Sequence, residues 1–200
     1  VYESKGEDAH RDFLAQHIRE LKKTIDARRG REDAYVRLAR RSVEHYVRHG
    51  TSCARPADLP AEMRQSAGVF VSLKQEGQLR GCIGTITAQQ HDIAQEIIAN
   101  AISACSSDPR FPPVSEAELD TLEYSVDVLG EPQRIASEAE LDVRRYGVIV
   151  SDGYRRGLLL PDLDGIDTPA EQVRIARKKG GIAENAKDIT LARFEVVRHH

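Results

Sequence analysis

The stretch GVFVSLKQEGQLRGCIGTIT, residues 68–87, most constrains what this chain can fold into. Two arms of alternating apolar residues flank Gln75-Glu76-Gly77, which puts a glycine where a hairpin needs one. In the first arm Val69, Val71 and Leu73 fall on one strand face. In the second, Leu79, Gly81 and Ile83 share one face, and Arg80, Cys82 and Gly84 share the other. A hairpin pairs its strands antiparallel. The segment YGVIVSDGYRRGLLLP predicts another hairpin, turning at Ser151–Gly153. The predicted class is therefore α+β, an antiparallel sheet or sheets with flanking helices, and not a doubly wound parallel sheet.

Helical periods fill the intervals. Leu14, Ile18, Leu21 and Ile25 make one face of a charged helix over 9–28, which ends near Gly30. A second helix, 32–49, carries Tyr35, Leu38, Ala39, Ser42, Val43, Tyr46 and Val47 and stops at Gly50. Residues 51–66 hold two prolines and no period, and read as loop. Ile93, Ile97, Ile98, Ala101, Ile102 and Cys105 form the tightest apolar stripe. SSDPRFPP ends that helix, because its prolines cannot continue it. Ser115 and Glu118 match a capping box, and TLEYSVDVLG alternates as a half-buried strand. Thr168, Pro169 and Glu171 open a last helix ended by Gly180-Gly181, and RFEVVR reads as one final strand. No internal repeat is visible.

A chain of 200 residues can bury a core without disulfides. Its three cysteines, Cys53, Cys82 and Cys105, are odd in number and widely spaced. They fit neither a disulfide framework nor a zinc ribbon, so a reducing, cytoplasmic setting is expected. Net charge is −3 with both signs mixed along the chain, which argues against nucleic acid as a partner. No apolar run is long enough to cross a membrane. The chain starts at Val1, so residues 1–30 read as a charged helix or linker that would follow an upstream domain.

The chemistry centres on Cys82. A free thiol titrates near about 8.5. Arg80 on the same strand face would lower that value, and flanking glycines would let a ligand or backbone approach closely. The same composition also suits a small residue packed where there is little room. His91, nine residues on, is the only histidine between positions 50 and 198 that could serve such a thiol as a base. Asp108 precedes a proline and reads as a turn residue, or as a group that orients a base. Arg110 has no structural need in sequence terms and offers an anion contact. There is no His-x-His, HExxH, CxxC, GxSxG, P-loop or GxGxxG, so no metal and no cofactor is expected.

LRGCIG, DPRFPP and the segment around YGVIVSDGYRRGLLLP together resemble the AMMECR-type domain family. Within that family the chain resembles protein A of the prokaryotic AmmeMemoRadiSam system. The likeness runs from about residue 34 to the end, so 31–200 is read as the domain. It implies two unequal lobes forming a cleft lined by LRGCIG. It also implies a Memo-type (dioxygenase-like) protein and a radical SAM enzyme as partners. Leu79 to Gly84 match the signature hexapeptide, and Asp108 to Phe111 match its companion.

Three functions follow as expectations. The first is a component of that three-protein system that binds an unknown small molecule or a partner segment. Leu79, Gly81, Ile83, Gly84, Arg110, Phe111 and His91 would line its site. The second is an enzyme with Cys82 as nucleophile or covalent carrier, assisted by Arg80 and Asp108. The third, the weakest, is RNA or nucleotide binding.

Overall fold

The structure is a computed structural model that describes residues 3–200. Its helices are α1 (Glu3–Arg29), α2 (Ala34–His49), α3 (Ile93–Ser106) and α4 (Pro169–Lys179). Its strands are β1 (Val69–Gln75), β2 (Gln78–Gly84), β3 (Leu122–Leu129), β4 (Gln133–Ile135), β5 (Gly147–Ser151), β6 (Arg156–Leu159), β7 (Thr190–Phe194) and β8 (Val196–His199). They form two four-stranded sheets, ordered β2-β1-β3-β8 and β4-β7-β5-β6. Every strand pair is antiparallel. The class is α+β, as the hairpins require.

The local signals are met. Asp33 accepts from the amides of Tyr35 and Val36 to start α2, and Gly50 ends it at φ +70°. Asp92 caps α3 and Thr168 caps α4, with Pro169 in its first turn. The Ser115–Glu118 capping box is present.

The two sheets repeat one path that the sequence does not advertise. In the first, the hairpin β1–β2 leads into α3, and β3 returns beside β1. In the second, β5–β6 leads into α4, and β7 returns beside β5. Each path uses a glycine on the edge strand where the C-terminal half of its helix arrives. A Cβ on Gly81 would overlap the Ala104 carbonyl oxygen, and one on Gly157 would overlap the Ala176 carbonyl oxygen. These contacts let the ends of α3 and α4 lie directly on β2 and β6.

Three cores result. Val71, Leu73 and Val126 pack against Val43, Ile97 and Ala101, joining α2 and α3 to the first sheet. Val148, Val150 and Leu159 pack against Val173 and Ala176 of α4. Phe70, Leu129, Ile149, Leu158 and Phe194 join the opposite faces of the two sheets. Each fully buried aliphatic side chain adds roughly 1.5–3 kcal/mol.

Two expectations need correction, RFEVVR as one strand and residues 61–64 as loop, and two features go beyond the sequence reading. RFEVVR is two strands, not one: β7 ends at Phe194, and β8 starts at Val196 in the other sheet. Glu195 is the crossing point, where its carbonyl accepts from Gly130 N–H at 2.8 Å. The chain also crosses between sheets just after Gly130, on its way to β4, a strand too short for its alternation to register. Residues 61–64 form a 3₁₀ turn inside the expected loop. Finally, the apolar stripe of α1 is mostly uncovered. Ile25 is buried, but Leu14, Ile18 and Leu21 are exposed. Arg28 to Glu123 and Arg29 to Glu44 tie only the end of α1 to the body.

Gly157→Ala should therefore destabilise by about 1–3 kcal/mol, because its neighbour is helix backbone that cannot move alone. Gly6→Ala, in an open part of α1, should be neutral or stabilising by up to about 1 kcal/mol. Urea denaturation of both variants checks this. Equal losses would contradict it.

Candidate functional site

A cleft of about 1260 Å³ opens over the face of the first sheet that points away from α3. Strand register builds its floor. Cys82 lies opposite Ser72, and Ser72 opposite Ser125, so three small polar side chains form a row across β2, β1 and β3. The next row is Gly84, Phe70, Asp127 and Arg198. Leu159, Leu160 and Leu163 supply an apolar wall from the second sheet, and Lys179 reaches in from the end of α4.

The LRGCIG strand is an edge strand, so the Cys82 peptide would ordinarily lack partners on its open side. The loop after α3 supplies them. Asp108 accepts from Cys82 N–H at 2.9 Å, and Arg110 Nη2 donates to Cys82 C=O at 3.2 Å. The two side chains also pair with each other, at 3.0 Å through Nε and 2.8 Å through Nη2. Carboxylate and guanidinium together stand in for a neighbouring strand. Asp108 is buried to 3% exposure, and Arg110, which satisfies it, holds its pKa down to about 2.

Arg80 does not join Cys82. The register slips between Leu73 and Lys74, leaving Arg80 at a bulge, so the alternation expected for this arm fails there. Its guanidinium pairs with Glu118 at 2.7 Å and donates to the Pro112 and Pro113 carbonyls. Arg80 thus fastens the DPRFPP loop rather than tuning the thiol. The bulge instead puts Leu79 at the cleft beside Cys82, Gly84 and Ile83, while Gly81 faces α3. Phe111 lies outside the cleft, under the Arg110 guanidinium at 5.4 Å. His91 is exposed at the start of α3 and does not line the cleft.

The Cys82 thiol is half-buried, and burial pushes its pKa up. The Ser72 hydroxyl, donating to Sγ at 3.2 Å, Lys179 and Arg110 act in the opposite direction but do not overcome it. Burial also lowers the pKa of Lys179. Deeper in, Asp127 is buried against Arg198 at 2.6 Å, and Arg198 also donates to the Pro161 carbonyl on the second sheet's side. Burial raises the pKa of Asp127 despite that partner. Among the described residues, no group of three or more His, Cys, Asp or Glu converges to hold a metal.

Sequence reasoning missed Ser72, Ser125, Asp127, Lys179 and Arg198. Ser72 lies on the hairpin face opposite Val69, Val71 and Leu73 and is not singled out by the alternation, and Asp127 lies on the polar phase of a strand that reads only as half-buried. Lys179 carried no signal except its place just before Gly180, whose close approach to β6 fixes it.

Removing the Asp108 carboxylate would strand the Cys82 amide and unpair Arg110. Asp108→Ala should cost about 1–3 kcal/mol in chemical denaturation. Because the folded pKa lies below the unfolded value of about 3.9, wild type gains about 2 kcal/mol from this group above pH 4. That gain should vanish as pH falls from about 4 to 2, and Asp108→Ala should lack this part of the acid dependence. An unchanged acid profile in the variant would contradict the assignment.

Comparison with known proteins places this architecture. A protein from Thermotoga maritima is 48% identical over 170 residues, covering 84% of this chain and 98% of that protein. Protein CA_C1420 from Clostridium acetobutylicum is 46% identical over 180 residues, but the match spans only 38% of its length. The crystal structure of PH0010 from Pyrococcus horikoshii superposes with a TM-score of 0.77 at 33% identity, covering 82% of this chain and 88% of that one. The AMMECR1 family model matches residues 36–199, which include both sheets and every residue of the Asp108–Arg110–Cys82 contact. The chain belongs to the AMMECR1 family.

Proposed function

We propose that the cleft over Cys82 is a ligand-binding site, and that the chain serves as the binding component of a three-protein system. A Memo-type protein and a radical SAM enzyme would be its partners. The observation that carries the binding reading is the cleft itself. About 1260 Å³ is bounded by an apolar wall on one side and by a floor of small polar groups on the other. An apolar wall facing convergent polar groups is the usual build of a small-molecule site, and here charged side chains such as Glu123, Asp164 and Arg198 also line it. The signatures LRGCIG and DPRFPP support the partners, because they are the segments that resemble the family's system protein. Here they are one contact, since DPRFPP holds the LRGCIG strand by its Cys82 peptide.

In this reading Cys82 is present for its size. The neutral fluorophore N-phenyl-1-naphthylamine, which brightens in apolar sites, should bind wild type saturably at one per chain. Cys82→Ala should leave its affinity within about threefold, because little apolar contact is lost. Cys82→Phe should fill the floor and abolish binding, with the thermal midpoint reported beside it to confirm folding. Absence of saturable binding to wild type would contradict the reading.

One observation favours a second reading, Cys82 as a nucleophile: Lys179 and Arg110 lie close enough to its sulfur to favour thiolate. Alkylation by iodoacetamide, followed by peptide mass spectrometry, separates the two. The raised pKa predicts a half-maximal rate above about pH 8.5, the ordinary thiol value, with Cys105, pushed up to about 11, slower still. A Cys82 midpoint below about pH 7.5, the range of activated thiols, would favour the nucleophile.

A further inference from the structure

The charges around the cleft are not evenly satisfied. Asp108, Asp127 and Glu123 are each held by an arginine, from Arg110, Arg198 and Arg28 respectively. Lys179 lines the same cleft, as do Arg31 and Lys74; among the described residues none of these three cations has a carboxylate within 4.0 Å, and Asp164, also on the lining, has no cation that near. The charges that act on Lys179 are Cys82, Arg110 and Asp108, and Asp108 is already committed to Arg110 and to the Cys82 amide.

The position of Lys179 is imposed by the fold. It is the last residue of α4, and the next residue, Gly180, has its backbone against Gly157 of β6. Lys178, one residue earlier, does not line the cleft. Beside Lys179, Arg110 is half-exposed at 50%, although its Nε and Nη2 are engaged. Two cations therefore flank the row of Cys82, Ser72 and Ser125, and only one of them has a carboxylate. Lys179 is exposed at the cleft, so its ammonium is open to a ligand, and an anion seated between it and Arg110, over the Ser72 and Ser125 hydroxyls, would gain charge-assisted contacts.

We infer that the ligand of the cleft carries an anionic group, a carboxylate or a phosphate ester, set between Lys179 and Arg110 above Cys82. Its apolar body lies against Leu79 and Leu160. This rests on the reading of the cleft as a ligand site and adds the chemistry that Lys179 selects.

The test is displacement of N-phenyl-1-naphthylamine by three probes of matched chain length: hexanoate, hexyl phosphate and hexanol. In wild type at least one of the two anions should displace the dye at about tenfold lower concentration than hexanol, the effect of one charge-assisted contact. In Lys179→Gln that advantage should disappear while hexanol is unchanged and the thermal midpoint is preserved. The more effective anion identifies carboxylate or phosphate as the group selected. Equal displacement by hexanol and both anions in wild type would overturn the inference and leave the binding reading standing. An anion advantage that survives in Lys179→Gln would overturn the role of Lys179. If the dye does not bind wild type at all, the ligand-site reading fails, and the inference with it.

Discussion

The carboxylate of Asp108 is the contact on which the site depends. It closes the open side of an edge strand at one peptide, and that peptide belongs to Cys82. An edge strand left bare frays or recruits another chain. Here a side chain does the work of a strand, so the outer boundary of the cleft is a loop rather than more sheet. That leaves Arg110 next to the thiol and keeps the loop in place through a second arginine, Arg80, bound to Glu118 and to two proline carbonyls. Both arginines of the two signature segments thus have structural partners. The anion contact expected of Arg110 has to share its guanidinium with Asp108.

The cleft exists because two similar hairpin–helix–strand units meet through Phe70, Ile149, Leu158 and Phe194 over only part of their faces. Where the side chains shrink to Ser72, Cys82 and Ser125, the first sheet no longer fills the space. Two close approaches, α3 on Gly81 and α4 on Gly157, aim the helix ends so that the loop after α3 and the last residue of α4 reach this same opening. The chain crosses between sheets at Gly130 and at Glu195, joined by one hydrogen bond, so both sheets share a single seam.

Much of the architecture was legible in the sequence, because period and punctuation act locally. Glycine, proline and capping residues marked the helix ends, alternation marked β1, β2 and β3, and the turn at Ser151–Gly153 marked the β5–β6 hairpin. The failures share a cause in tertiary geometry. The bulge at Leu73–Lys74 breaks the period within β2 and sends Arg80 away from Cys82. RFEVVR keeps one apolar rhythm while passing from one sheet to the other at Glu195. The pairing of Asp108 with the Cys82 backbone spans twenty-six positions and leaves no local trace. Lys179 is brought to the cleft by a glycine contact between segments far apart in the chain. The sequence pointed to the right strand and the right loop, but not to how they touch.

The central claim is that the Asp108 carboxylate holds the Cys82 peptide and so gives the cleft its floor. Amide hydrogen exchange at Cys82, resolved by NMR in wild type and in Asp108→Ala, tests it most directly. The account predicts that the Cys82 amide of wild type, although on an edge strand, exchanges as slowly as the paired amides of β1. In the variant it should lose that protection while the β1 core amides keep theirs. A Cys82 amide that already exchanges as fast as an open edge in wild type, or that is equally protected without the carboxylate, would contradict the account.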